Sequence, residues 1–408
     1  MQPLFALLII AVGSIALSKY RKKLTDLPEF IQTFLHSDLL FVLVGVAAGP
    51  TFLNVLPKNE LLSLTPIVYI GLGFTGFIYG THLEWRQIRR FPPHYHFFAL
   101  YESLGTLLYV SLGIWLVTAL LPVHFNHWPG MEFTPLIISG AIVCGTAPSL
   151  LFVLSHKYNL GSKPFRLIQF SSTVNDLPTI LVFGLFYSIE KSISLDTPDV
   201  WHYGLGLKPL LWLAISLAMG VISGRLFKFL TTGIHKESVI LSLLFGTIAF
   251  TAGMADLLGL SPIFVSMVSG ITFANSSLRK EYIFGVLAHR EHTVYILFLV
   301  LAGTTLEITP NMGYWLIPTL FVTRLLAKFF FGTTGLFLFR KETGRETNLF
   351  PLSSGLIPQG GVPVMLAFSF TLSFDSPFSR QLFFSVMAVI VINEILKPLS
   401  ASMVKRNA

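Results

Sequence analysis

The chain of 408 residues is 53% hydrophobic and only 12% charged, with a formal net charge of +8. A soluble chain carries about twice that charged fraction, and no nucleophile–base constellation, phosphate loop or metal cluster points to an enzyme. A basic balance also suits nucleic acid, but the positions of the basic residues argue against that partner.

Apolar residues fall in blocks of about 17–27, the length that crosses a hydrocarbon core of about 30 Å as a helix. The expected class is an all-α polytopic membrane protein with about thirteen transmembrane helices. In chain order the spans lie near 2–18, 38–56, 62–83, 96–121, 133–155, 163–189, 207–230, 236–257, 260–276, 289–308, 312–339, 349–372 and 378–404. The first block has no small-residue cleavage site and runs into Lys19, Arg21, Lys22 and Lys23, so it reads as a retained helix. With the N-terminus outside, the outer connections hold only Lys58, Lys191, Lys208 and Arg380. Arg324 and Lys328 fall deep within a span, and every other Lys and Arg lies in an inner connection or toward the inner end of a span. That is the positive-inside bias. The expectation is one transmembrane domain over 1–404 in a bacterial inner (plasma) membrane, with 405–408 as a short cytoplasmic tail.

The single cysteine, Cys144, excludes a disulfide framework and a multi-cysteine metal site. It opens the first of two helix-breaking runs. Segment five carries Cys144-Gly145-Thr146-Ala147-Pro148, and segment twelve carries Pro358-Gln359-Gly360-Gly361-Val362-Pro363. Proline removes a backbone donor and glycine weakens the helix. Unwound backbone at membrane depth is tolerated where it lines a cavity or is buried in protein. Five plus seven is twelve, so the two breaks sit at equivalent places if segments one to six and eight to thirteen are inverted repeats joined by segment seven. Simple kinks are the plainer alternative.

Between the breaks in sequence lies Asn175-Asp176, near the middle of the apolar sixth segment. A carboxylate at the centre of a bilayer costs roughly 2.5–3.5 kcal/mol and is retained where it faces a cavity, a partner or an ion. Burial disfavours its charged form, so a proton and a hard monovalent cation compete for one anion. The plainer reading is a structural aspartate paired with a base. Asn175 contributes either its carbonyl to the ion or its amide to a neighbouring helix end. Ser172, four residues before Asp176 on the same helix face, offers a hydroxyl ligand or bonds back to its own helix. Thr146 offers hydroxyl or main-chain oxygen. Arg324 and Lys328, four apart on segment eleven, neutralise a helix end, pair with Glu102 of segment four, or approach the ion site.

On these residues the chain resembles the monovalent cation:proton antiporter superfamily, the sodium/proton exchangers together with the potassium-efflux antiporters. The resemblance rests also on Val44-Gly45-Val46-Ala47-Ala48-Gly49-Pro50, on Gly80–Arg90 and on Ala255-Asp256-Leu257-Leu258-Gly259-Leu260-Ser261-Pro262. It implies that Asp176 binds the ion and that Thr146-Ala147-Pro148 and Gln359-Gly360-Gly361 are the unwound parts of crossing helices five and twelve. It further implies a mobile core over about 96–190 and 312–404, and a homodimerisation panel over about 1–90 and 207–308. Electroneutral members usually place a Glu four residues before the Asn, paired to an Arg in helix twelve; Ser171 and Gln359 stand there instead. Val362 stands where the potassium-efflux branch has Glu.

The expected function is therefore antiport of Na⁺ or K⁺ against H⁺ by an elevator-like motion, with no cofactor. Asp176 alone would titrate at the site, since the second carboxylate and a site lysine are missing, making exchange electroneutral. The alternatives are a sodium-coupled symporter of an organic anion, which would want basic or aromatic groups beside the site, and a membrane ion sensor that does not transport.

Overall fold

The computed structural model describes residues 13, 39–50, 52–55, 64–120, 133–158, 160–194, 207–276, 280–306, 314–340, 349–374 and 376–407. Apart from Gly13, the first expected span lies outside them, as do Lys19, Arg21, Lys22, Lys23, Lys58, Arg279, Lys341 and Arg345. All regular structure among the described residues is helical. Six helices among them are long and apolar enough to cross a membrane, with three shorter apolar helices beside them. Large apolar side chains stay exposed along them, for example Leu108, Leu112 and Trp115, and Ile222 and Phe229. Such faces are costly against water and ordinary against lipid.

The helices in chain order are α1 (Leu39–Ala48), α2 (Thr65–Thr81), α3 (Pro93–Leu120), α4 (Phe133–Cys144), α5 (Ser149–Tyr158), α6 (Lys163–Val174) and α7 (Asp176–Ser194). There follow α8 (Leu207–Thr231), α9 (Glu237–Leu257), α10 (Pro262–Ser276), α11 (Lys280–Thr304) and α12 (Leu316–Leu338). Short helical turns Leu349–Ser353 and Ser354–Leu356 precede α13 (Val362–Ser373) and α14 (Pro377–Asn407). The chain divides into two compact units.

One unit takes in residues 41–90 and 183–305. Its α2 and α10 lie backbone to backbone because glycines face the contact. A Cβ on Gly76 would strike the Ile263 carbonyl, one on Gly80 the Met267 carbonyl, and one on Gly270 the Phe77 carbonyl. Close approach through small residues is how helices associate without a hydrophobic drive between them. Gly45 and Gly303 bring α1 and α11 together reciprocally, over Val300 and Val42. The α9–α10 turn follows its sequence directly. Gly259 takes φ +69°, Ser261 caps the next helix by accepting from the Phe264 amide, and Pro262 occupies the first turn. Helix α11 begins at Lys280, about nine residues before the expected apolar boundary at 289. Hydropathy marks the apolar part of a helix, whereas Lys, Glu and Ala continue it into polar surroundings.

The other unit takes in residues 91–182 and 306–408. Phe98, Leu151, Phe165, Ile168, Leu336, Leu352, Leu356 and Val404 form its buried core. Helix α4 ends at Cys144, and α5 resumes at Ser149. The chain likewise leaves helical form after Leu356 and resumes at Val362. One further interruption separates the halves of the expected sixth span: α6 stops at Val174, Asn175 is its C-cap, and α7 begins at Asp176. Pro178 accounts for it, because it has no N–H to give the Val174 carbonyl one turn earlier.

Candidate functional site

Arg324 of α12 organises the two interrupted segments, both within the second unit. The last carbonyls of a helix have no partner in their own helix and carry its negative dipole end. Arg324 Nε donates to Val143 O at 2.9 Å and Nη2 to Gly145 O at 2.9 Å, where α4 ends. Its Nη1 donates to Ile357 O at 2.6 Å, where the other segment leaves helical form. The planar guanidinium has donors enough for all three acceptors at once. The two loops also meet directly, since the Ala147 amide donates to Pro358 O at 2.8 Å. Gln359 Nε2 donates to Val143 O at 3.0 Å, and Asn393 Nδ2 holds Gln359 Oε1 at 2.7 Å. Gly360 packs on Ala147, Gly361 is the N-cap of α13, Pro363 lies in its first turn, and Pro148 O accepts from Phe152 at the start of α5.

One helical turn along α12, Lys328 donates from Nζ to Glu102 Oε1 of α3 at 2.6 Å. Both side chains are fully buried. The same ammonium reaches Thr146 Oγ1 at 2.8 Å, and Thr146 in turn donates to Leu356 O at 3.3 Å. The second oxygen of Glu102, Oε2, accepts from Asn175 Nδ2, which also lies 3.4 Å from Thr146 Oγ1. The sequence reading of a site without lysine or second carboxylate is corrected here. Of the fates expected for Arg324 and Lys328, pairing with Glu102 falls to Lys328, assembled from α3 and α12 by packing.

Asp176 is 6% exposed, and Oδ1 of its carboxylate has no hydrogen-bond partner in the chain. Asn175 Oδ1 and Ser171 Oγ are buried without partners as well. Gly145 makes room for the carboxylate: a Cβ there would lie 2.8 Å from Asp176 Oδ1. Unsatisfied buried oxygens are rare in folded proteins, and three within one stretch of six residues are hard acceptors of the kind an alkali cation takes. Ser172 points its hydroxyl back to Gln169 O at 2.8 Å, the second of its two expected fates. The register from Ser172 to Asp176 is kept, since Asn175 holds helical φ −57° and ψ −33° and its amide donates to Ser171 O; the Ser172 hydroxyl is simply satisfied within its own helix. Asn393, and Thr179, whose hydroxyl lies 2.9 Å from Cys144 Sγ, are site neighbours that the sequence did not single out, whereas Ser171 stood out there only as the replacement for a family Glu.

The sequence profile of the family described as "Sodium/hydrogen exchanger, transmembrane" matches residues 7–405. No curated protein sequence matches the chain. Among solved structures, the sodium proton antiporter MjNhaP1 from Methanocaldococcus jannaschii at pH 8 aligns with TM-score 0.67 and 16% identity, covering 99% of both chains. An electron-microscopy structure of the same antiporter aligns with TM-score 0.62 and 15% identity, covering 99% of this chain and 96% of that one. At that identity the likeness is one of fold. With the family match over nearly its whole length, the chain belongs to the transmembrane sodium/hydrogen exchanger family, a group of membrane transporters within the monovalent cation:proton antiporter superfamily.

Proposed function

We propose that this protein exchanges a monovalent cation, Na⁺ or K⁺, for H⁺ at Asp176 by elevator-type alternating access. The observation that carries the reading is the buried, unpartnered Asp176 Oδ1, with Asn175 Oδ1 and Ser171 Oγ also buried without partners in the same six-residue stretch. Thr146 supports this group from the interrupted segment through its contacts with Lys328 and Asn175. A carboxylate in that setting is neutral with a proton and neutralised with a cation, so the two ligands exclude each other. Exchange follows if the empty, charged form does not cross.

The fixed charges support a one-for-one stoichiometry. Lys328 and Glu102 cancel as a pair, and Arg324 is spent on carbonyls. The site then carries the same charge with H⁺ as with a monovalent cation, and one-for-one exchange is electroneutral. In this reading residues 96–190 and 312–404 move as the core, and residues 1–90 and 207–308 form the panel of a homodimer. The division of the chain near residues 91, 183 and 306 supports that partition. The two interrupted segments, meeting at Ala147 and Pro358, support descent from inverted repeats. The basic inner connections favour an N-terminus outside and a cytoplasmic C-terminus in a bacterial inner membrane.

Proteoliposomes holding a pH dye and a preset pH gradient test the reading. Adding Na⁺ or K⁺ should dissipate the gradient, and Asp176→Asn should abolish the response. A gradient insensitive to every alkali cation, or an unchanged Asp176→Asn variant, would overturn it.

A further inference from the structure

Asn175 is where the second layer of the site meets the first, and its amide has two ends with opposite chemistry. The nitrogen end is fully engaged. Nδ2 donates to Glu102 Oε2 and faces Thr146 Oγ1 at 3.4 Å. The oxygen end is buried without a partner. Which end faces which neighbour is decided by charge: Glu102 presents only acceptors, so it takes the NH₂ end and turns Oδ1 the other way. Glu102 itself is held by Lys328 at 2.6 Å and approached by Thr106 Oγ1 at 3.4 Å. Lys328 also occupies Thr146 Oγ1 at 2.8 Å as a donor, which keeps that oxygen an acceptor toward the amide. Backbone contacts anchor the same residue, with the Asn175 amide on Ser171 O at 2.8 Å and Thr179 Oγ1 on its carbonyl at 3.0 Å.

We infer that Asn175 Oδ1 is a direct ligand of the transported cation, and that the buried Glu102–Lys328 pair is the positioning device that turns it toward the ion. The inference rests on the antiport reading and deepens it. It gives an unusual role to an intramembrane ion pair. The pair contributes no net charge to the translocated site, yet it sets how many oxygens the site offers. Without it the amide is free to reverse, and an NH₂ group facing a cation repels it. Cation affinity, more than turnover, is then the quantity the pair controls. Ser171 Oγ, one turn before Asn175, is another buried oxygen without a partner in the same stretch.

A double-mutant cycle on cation KM tests whether Glu102 acts through Asn175. Glu102→Gln, Asn175→Ala and the double variant are reconstituted, and initial exchange rates are measured over a range of Na⁺ and of K⁺. The expected result is a rise of about tenfold in KM for Glu102→Gln, with maximal rate changed far less. In the Asn175→Ala background the same Glu102 substitution should leave KM unchanged. Equal KM increments in the two backgrounds, or no KM effect of Glu102→Gln, would overturn the proposal. If Glu102→Gln does not fold, the pair Glu102→Gln/Lys328→Met, which strands no charge, replaces it in both backgrounds and is judged by the same criterion. Exchange by the unsubstituted protein in the same vesicles separates the two readings. Its absence refutes antiport, whereas exchange with additive KM effects refutes this role alone.

Discussion

Gly145 is the residue with least freedom to change at the site. A methyl group there would lie 2.8 Å from Asp176 Oδ1, inside ordinary contact distance. Gly145→Ala should keep the fold and raise apparent cation KM at least about tenfold, since sub-ångström displacement at a reacting group is costly. Dye-reported exchange rates against cation concentration check this; an unchanged KM would contradict it. Lys328 carries the complementary lesson. Removing one member of a buried ion pair leaves a bare charge and costs about 3–5 kcal/mol, whereas removing both is often near neutral. Lys328→Met should therefore lower the thermal midpoint in detergent by several degrees, and adding Glu102→Gln should recover most of it. At this scale the sequence showed which groups were expensive, Asp176, Arg324, Lys328 and Glu102, because charge in an apolar block is visible by itself. Pairing with Glu102 was among the expected fates, but which of the two bases takes it was not visible. Arg324 and Lys328 are one turn apart on α12, yet the first serves three carbonyls and the second a carboxylate.

At the scale of elements, the interrupted segments depend on partners outside themselves. Helix α4 ends in carbonyls that Arg324 and Gln359 satisfy, and the loops meet through Ala147 and Pro358. Arg324→Lys retains the charge but replaces a three-way planar fork with a single ammonium. Amide hydrogen exchange over residues 143–149 and 356–362 should then accelerate about tenfold or more, while the α2–α10 contact stays protected. Equal protection in both proteins would show that the guanidinium geometry is dispensable. Gly and Pro at 145, 148, 360, 361 and 363 were legible as weak points in helices, because their backbone chemistry is local. The interruption at Asn175 went unread for a different reason. Pro178 sits three residues beyond it, and a lone proline in an apolar run is as compatible with a gentle kink as with a break.

For the whole molecule, the proposed competition between proton and cation at one carboxylate would fix both pH response and voltage response. Lowering pH fills Asp176 with protons, so apparent cation KM should rise as pH falls, approaching about tenfold per unit where protons dominate. Raising pH should relieve the competition. A KM independent of pH would contradict a shared site. With Glu102 and Lys328 cancelling, exchange in voltage-clamped vesicles should carry no current and should not respond to a potential that contributes about 2.3 kcal/mol per charge per 100 mV. Membrane class, approximate spans and the burial of Asp176 followed from the sequence, since each reflects transfer of side chains between water and hydrocarbon, a property each residue brings with it. The network of Arg324, Lys328, Glu102, Asn175 and Thr146 joins α3, α12 and segments more than 70 residues apart in the chain. Only tertiary packing decided those partners, because a hydrogen bond depends on where two groups meet in space and leaves no periodic trace along the chain.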